Sequence, residues 1–127
     1  MSITQIDVGT PTNQFIFQDT VMGNAVDGVK ASSALLLFVK VDNSLNISAP
    51  AYVKLFNLAN NNVTLGVTPP DEIIYVPAGQ VVTREYFTGA VVGVTFGTAL
   101  SAACVTVGGT AGTVSPASAV AVNIVYV

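Results

Sequence analysis

Apolar side chains recur at every second residue over much of this chain, in short runs cut off by Gly, Pro, Asn and Ser, which is the signature of extended strands. The run from Ala51 to Phe56 shows it best. Ala51, Val53 and Leu55 fall on one face of an extended chain, and Tyr52, Lys54 and Phe56 on the other. Both faces are largely apolar, so this strand belongs inside a packed sandwich or against another subunit. The same reading predicts strands over residues 3–8, 14–22, 35–41, 51–57, 72–76, 80–86, 91–96, 103–107 and 120–127. A helix competes at 30–38, where Ala31, Ala34, Leu35 and Leu36 favour it, but Val39 and Val41 alternate with Lys40 and Asp42 and carry a strand onward. The expected fold is all-β, an antiparallel β-sandwich of jelly-roll-like form in a single domain.

The breaks between runs have their own causes. Pro69-Pro70 cannot donate backbone hydrogen bonds and ends pairing before Asp71. Pro77-Ala78-Gly79 joins two strand-like runs, which predicts a hairpin over 72–86. The stretch from Gly108 to Pro116 is too small and flexible for a core strand and is expected as an exposed loop. Residues 1–30 differ in character: they hold Asp7, Asp19 and Asp27 and only one persuasive apolar run, Phe15-Ile16-Phe17. They read as an N-terminal arm or as edge strands, ahead of a sandwich domain over 31–127.

Composition sharpens this picture. Of the 127 residues, 51% are hydrophobic and only 9% charged, against roughly 25% charged in a typical soluble domain. Together with the two-sided strand at Ala51–Phe56, that predicts self-association as a dimer or trimer. A net charge of −3 and four scattered cations, Lys30, Lys40, Lys54 and Arg84, give no footprint for nucleic acid. The longest apolar run, 34–39, is too short to span a membrane, and 1–8 lacks the basic start and apolar core of a signal peptide. The lone Cys104 sits among Ala102, Ala103 and Val105 and reads as a small buried hydrophobe.

Histidine is absent, which removes Ser/His and Cys/His dyads and the commonest metal ligand. Asp71 and Glu72 are adjacent, and neighbouring strand residues point to opposite faces, so they read as a solvated strand entrance. The run from Asp42 to Asn46 begins like a calcium loop, but Ile47 stands where glycine is needed and Val53 at the twelfth position, leaving a polar turn. Gly108, Gly109 and Gly112 lack the Gly-Lys-Ser/Thr sequence of a phosphate cradle. Asn46-Ile-Ser48 and Asn62-Val-Thr64 match the glycosylation pattern, which without a signal peptide is discounted. The expectation is therefore a non-enzyme with no catalytic residue, metal or cofactor. Its chemistry would lie in an interface, for which Phe15, Phe17, Tyr52, Phe56, Tyr75, Tyr86 and Phe87 are the candidates.

Several runs taken together resemble small virion proteins of tailed bacteriophages, marine and cyanobacterial phages among them. They are Val39-Lys-Val-Asp-Asn43, Ala51-Tyr-Val-Lys-Leu-Phe-Asn57, Val63-Thr-Leu-Gly-Val-Thr-Pro-Pro-Asp71, Val76-Pro-Ala-Gly79, Phe96-Gly-Thr-Ala-Leu100 and Cys104-Val-Thr-Val-Gly-Gly-Thr-Ala-Gly112. The likeness covers roughly 35–127. It implies a capsid decoration or cement protein, made in the host cytoplasm and carried on the capsid surface, with the major capsid protein as partner. A tail or fibre module that binds host glycans through Tyr52, Tyr75 or Tyr86 remains the alternative.

Overall fold

Strands form where the two-residue alternation is strongest. The computed structural model describes residues 14–88 and 91–127, with the backbone alone at 87–88 and 91–92. Its strands are β1 (Phe15–Asp19), β2 (Asp27–Lys30), β3 (Ala34–Asp42), β4 (Ala51–Phe56), β5 (Glu72–Val76), β6 (Val81–Glu85), β7 (Phe87–Thr88), β8 (Val91–Val92), β9 (Val94–Phe96), β10 (Leu100–Val105) and β11 (Ala121–Tyr126). A single turn of 3-10 helix at Asn60–Asn62 is the only helical element among the described residues.

Two antiparallel sheets pack face to face. The first has the order β1-β11-β3-β6, with β9 also paired to β3, and the second β2-β10-β4-β5. Setting aside the short β7, β8 and β9, the pairings nest. The first strand pairs with the last (β1 with β11), the second with the last but one (β2 with β10), then β3 with β6 and β4 with β5. The chain is thus one long antiparallel ribbon, centred on the β4–β5 connection and rolled so that successive pairs alternate between sheets. Val39, Val41, Val122 and Ile124 of one sheet meet Val53, Leu55, Ile74 and Cys104 of the other in the core. Fully burying each aliphatic side chain contributes roughly 1.5–3 kcal/mol, which is what keeps the sheets together.

The competition at 30–38 resolves as strand: β3 buries Leu36, Val39 and Val41 and passes Leu37 through a bulge, where its pairing with β11 shifts register. The strand expected at 3–8 lies outside the described residues. Within 14–30, β1 and β2 occupy the edges of the two sheets on the same side of the sandwich.

Three expectations are corrected. The hairpin over 72–86 does not form, because β5 pairs with β4 in one sheet and β6 with β3 in the other. Its turn is an arch between sheets, closed by Gln80 N donating to Pro77 O (3.2 Å) and also tied outward: Gly79 N donates to Asn46 O (2.9 Å) and Asn43 N to Gln80 O (2.9 Å). The strand expected at 103–107 is β10, which starts three residues earlier at Leu100 because Leu100 and Ala102 are needed in the core. It stops at Val105, after which Thr106 N donates to Val114 O (2.9 Å) and closes a loop. The run 91–96 is split at Gly93, whose φ of +87° and close approach to Leu36 O exclude a side chain. The alternation alone did not disclose β2 or β7, whose short runs are completed by their partners β10 and β8.

Candidate functional site

The two faces of β4 are as the alternation predicts. Ala51, Val53 and Leu55 point into the core, and Tyr52, Lys54 and Phe56 to the outer side of the sheet. What covers that outer side is the chain itself. Ser101, opposite Phe56, donates its Oγ to Leu58 O (2.8 Å), so the segment after β4 folds back over Phe56, which is fully buried. Lys54 is also fully buried and donates Nζ to Gly112 O (3.0 Å) and Thr110 O (3.4 Å). The loop after β10 is therefore a lid rather than a free loop, and Gly108 within it lies directly against the Tyr52 ring. Burial lowers the pKa of Lys54.

The seven candidate interface residues are dispersed rather than gathered. Phe56 is core-like, and Phe17 packs against the core from β1. Phe15 is exposed at the edge of the first sheet, stacked on Tyr126 with ring centroids 5.7 Å apart. Tyr75, 50% exposed on the opposite edge strand β5, leans on Tyr52 at 5.2 Å. Phe87 lies on the short β7–β8 ladder opposite Val92. Tyr86 packs against the core and donates its hydroxyl to Glu72 Oε2 (2.7 Å). Burial, then the hydrogen bond and charge of Glu72, raise the Tyr86 pKa and keep the phenol protonated.

Glu72 also lies 3.7 Å from the Arg84 guanidinium, so Tyr86 and Arg84 on the first-sheet side clasp Glu72 on the second. Both Asp71 and Glu72 line a cleft of about 190 Å³ there, with Leu36, Val94 and Phe96 as its apolar wall. Their partners are separate: Asp71 Oδ2 accepts from Asn57 N (2.7 Å), while Glu72 takes Tyr86. The strand entrance is solvated at Asp71, as expected from sequence, and partly enclosed at Glu72, and each carboxylate has its own donor. Cys104 is buried, and that burial pushes its thiol up to about 12, so it behaves as the packing residue expected. Among the described residues no group of three or more His, Cys, Asp or Glu could hold a metal ion, and no helix is long and apolar enough to cross a membrane.

The feature that sequence reasoning passed over lies at the pole where the β3–β4 loop, the β5–β6 arch and the segment before β11 meet. Asn46 Nδ2 donates to Asn43 Oδ1 (2.8 Å) and Ser118 O (3.0 Å), and its Oδ1 accepts from Ser118 N (2.8 Å). Asn43 Nδ2 reaches Ala49 O (3.1 Å) and Pro77 O (3.2 Å). Asp42 Oδ1 accepts from Ser44 N (2.9 Å), and hydrogen bonding from the Ser44 side chain first and its backbone N–H second lowers the Asp42 pKa. The run that begins like a calcium loop is thus a turn whose polar groups are spent on itself. With both asparagines turned inward, Leu45 (64% exposed) and Ile47 (81%) are forced outward. Leu45 borders a shallow hollow of about 200 Å³ shared with Thr20, Ala119 and Ala121, and the exposed Val21 follows Thr20. The asparagines at 43 and 46 were the available signal, since paired Asn side chains in a turn hold backbone rather than solvent when they are buried. Asn46 cannot carry a glycan in this fold, because its amide is consumed. Comparison with protein-family models, curated proteins and solved structures finds no match to this chain.

Proposed function

We propose that this chain is a structural component of a bacteriophage particle, a decoration or cement protein that binds the outer capsid surface and stabilises the shell without catalysis. The observation that carries the reading is the pole of Leu45 and Ile47, two large apolar side chains held out by a loop already fixed by five side-chain hydrogen bonds of Asn43 and Asn46. A rigid apolar projection loses little freedom on docking, so each Å² it removes from water counts at about 25 cal/mol with small ordering cost. The nested strand order supports the same reading, since nested pairing that alternates between two sheets is the pattern expected of a jelly roll, an architecture common in viral shells though not confined to them. Repetition over a symmetric shell would add avidity to a modest contact.

Capsids lacking the protein should bind it when it is added back. The Leu45→Asp/Ile47→Asp double variant should keep its melting temperature but lose capsid binding at least tenfold, as exposed substitutions usually shift stability by no more than about 0.5 kcal/mol. Unchanged binding of the variant would remove the pole from the account, and no binding of the native protein would remove the reading itself.

One observation favours a second reading, a tail or fibre module for host glycans: the half-exposed Tyr75 ring, braced by Tyr52, is a stacking surface for a sugar. A glycan array on the purified protein separates the two, with Tyr75→Ala as the control.

A further inference from the structure

We propose that Asp19 and Asp27 share one proton across the gap between the two sheets, forming a clasp that holds the β1–β2 edge closed while the proton is kept and releases it when the proton is lost. This stands apart from the virion reading. Asp19 is opposite Val122 in the β1–β11 pair, and Asp27 is opposite Ala102 in the β10–β2 pair. Opposed residues of antiparallel strands share a face, and Val122 and Ala102 are both core residues, so the two carboxyls point inward from the edges of different sheets.

Their partners identify where the proton sits. Asp19 Oδ1 accepts from Val21 N (2.8 Å). Asp27 Oδ2 is the one buried side-chain polar atom among the described residues that no donor reaches. A buried oxygen without a donor is costly as a carboxylate and costs little as the hydroxyl of a carboxylic acid that donates to its neighbour. Two carboxylates turned toward each other inside the sandwich cannot both ionise cheaply, and a shared proton removes the conflict.

The other groups nearby are few. Lys30 lies on β2 three residues from Asp27, opposite Leu100, Cys104 on β10 stays a neutral thiol at ordinary pH, and β11 offers Val122 and Ile124 on its inner face. The connection between the strands is fastened at both sheets, by Met22 N to Val120 O (3.0 Å) and Cys104 N to Gly23 O (2.9 Å), so the carboxyls cannot drift apart freely. Burial first, and then the hydrogen bond and charge of Asp19, raise Asp27 from 3.8 to about 7. A carboxyl whose folded value is raised contributes stability that is fully present below its unfolded value and is lost as pH rises through the folded one. The window is therefore about 4 to 7, with the fold tighter on the acid side.

The test is a carbon-detected NMR titration of the aspartate carboxyls in the full chain, with amide exchange of residues 15–30 corrected for intrinsic pH dependence. An Asp27 midpoint near 7, with protection of this edge falling at least tenfold between pH 5 and 8, is expected. Asp27→Asn, which places a permanent donor at the orphan oxygen's position, should keep protection the same at both pH values. Asp19→Asn should move the Asp27 midpoint down. A native midpoint near 4, or an Asp27→Asn protein with the native pH dependence, overturns the clasp, and the native titration decides even where a variant fails to fold.

Discussion

Lys54 sits mid-strand in β4 with no solvent exposure, and among the described residues its ammonium meets two backbone carbonyls of the lid loop and no carboxylate. Its role is to fasten residues 106–115 onto the sheet. Lys54→Met keeps most of the volume and removes both hydrogen bonds, so it should lower stability by about 1–3 kcal/mol. Limited proteolysis should then cut the native chain slowly and the variant quickly within 108–114. The sequence showed Lys54 as the odd residue in an apolar face but not the loop above it, because contact between positions 54 and 112 depends on tertiary folding. Phe56 was misplaced for a related reason. An aromatic on the outer face of a strand reads as interface until the chain that covers it is located. The Asn43 and Asn46 pair was legible as a turn, yet its consequence, the outward Leu45 and Ile47, required the burial of both amides.

At the scale of elements, alternation located β3, β4, β5, β6 and β11 to within about two residues, since each has one face in the core and a two-residue period records that directly. Val53→Asp or Ile124→Asp would place an unpaired charge in a fully buried position. Such a charge costs several kcal/mol against a total stability of about 5–15 kcal/mol, so both variants should be insoluble or lack a cooperative thermal transition. A soluble, cooperatively melting variant would contradict the assigned faces. The arch between β5 and β6 was not legible, because Pro77-Ala78-Gly79 suits a hairpin and an arch equally, and only the partners β4 and β3 decide. Its clasp is measurable: Tyr86→Phe should reduce stability by about 1 kcal/mol, or more if Glu72 is left without a donor. Calorimetry of the two proteins checks this.

For the molecule as a whole, the nested pairing explains why fold class was readable and topology was not. Joining β1 to β11 links positions more than a hundred residues apart, and no local pattern encodes such a contact. The same non-local pairing predicts slow folding, in the millisecond-to-second range typical of all-β domains, which stopped-flow refolding would test. The low charge content pointed to self-association. Part of that motive is now met inside the chain, since the lid loop and the segment after β4 cover the outer face of the sheet, while Phe15 and Ile16 on edge strand β1 remain open. Sedimentation at micromolar concentration distinguishes a dimer or trimer, which the exposed edge favours, from a 13.0 kDa monomer.

The most direct measurement of the central claim is the temperature at which phage particles release their DNA, with and without this protein. A cement protein adds contacts to a shell that assembles without it. Particles lacking it should therefore form normally and lose DNA at lower temperature, with heat resistance restored by added native protein and not by the Leu45→Asp/Ile47→Asp variant. Equal heat resistance of the two kinds of particle, together with lost adsorption to host cells, would contradict the capsid account and favour the glycan-binding one.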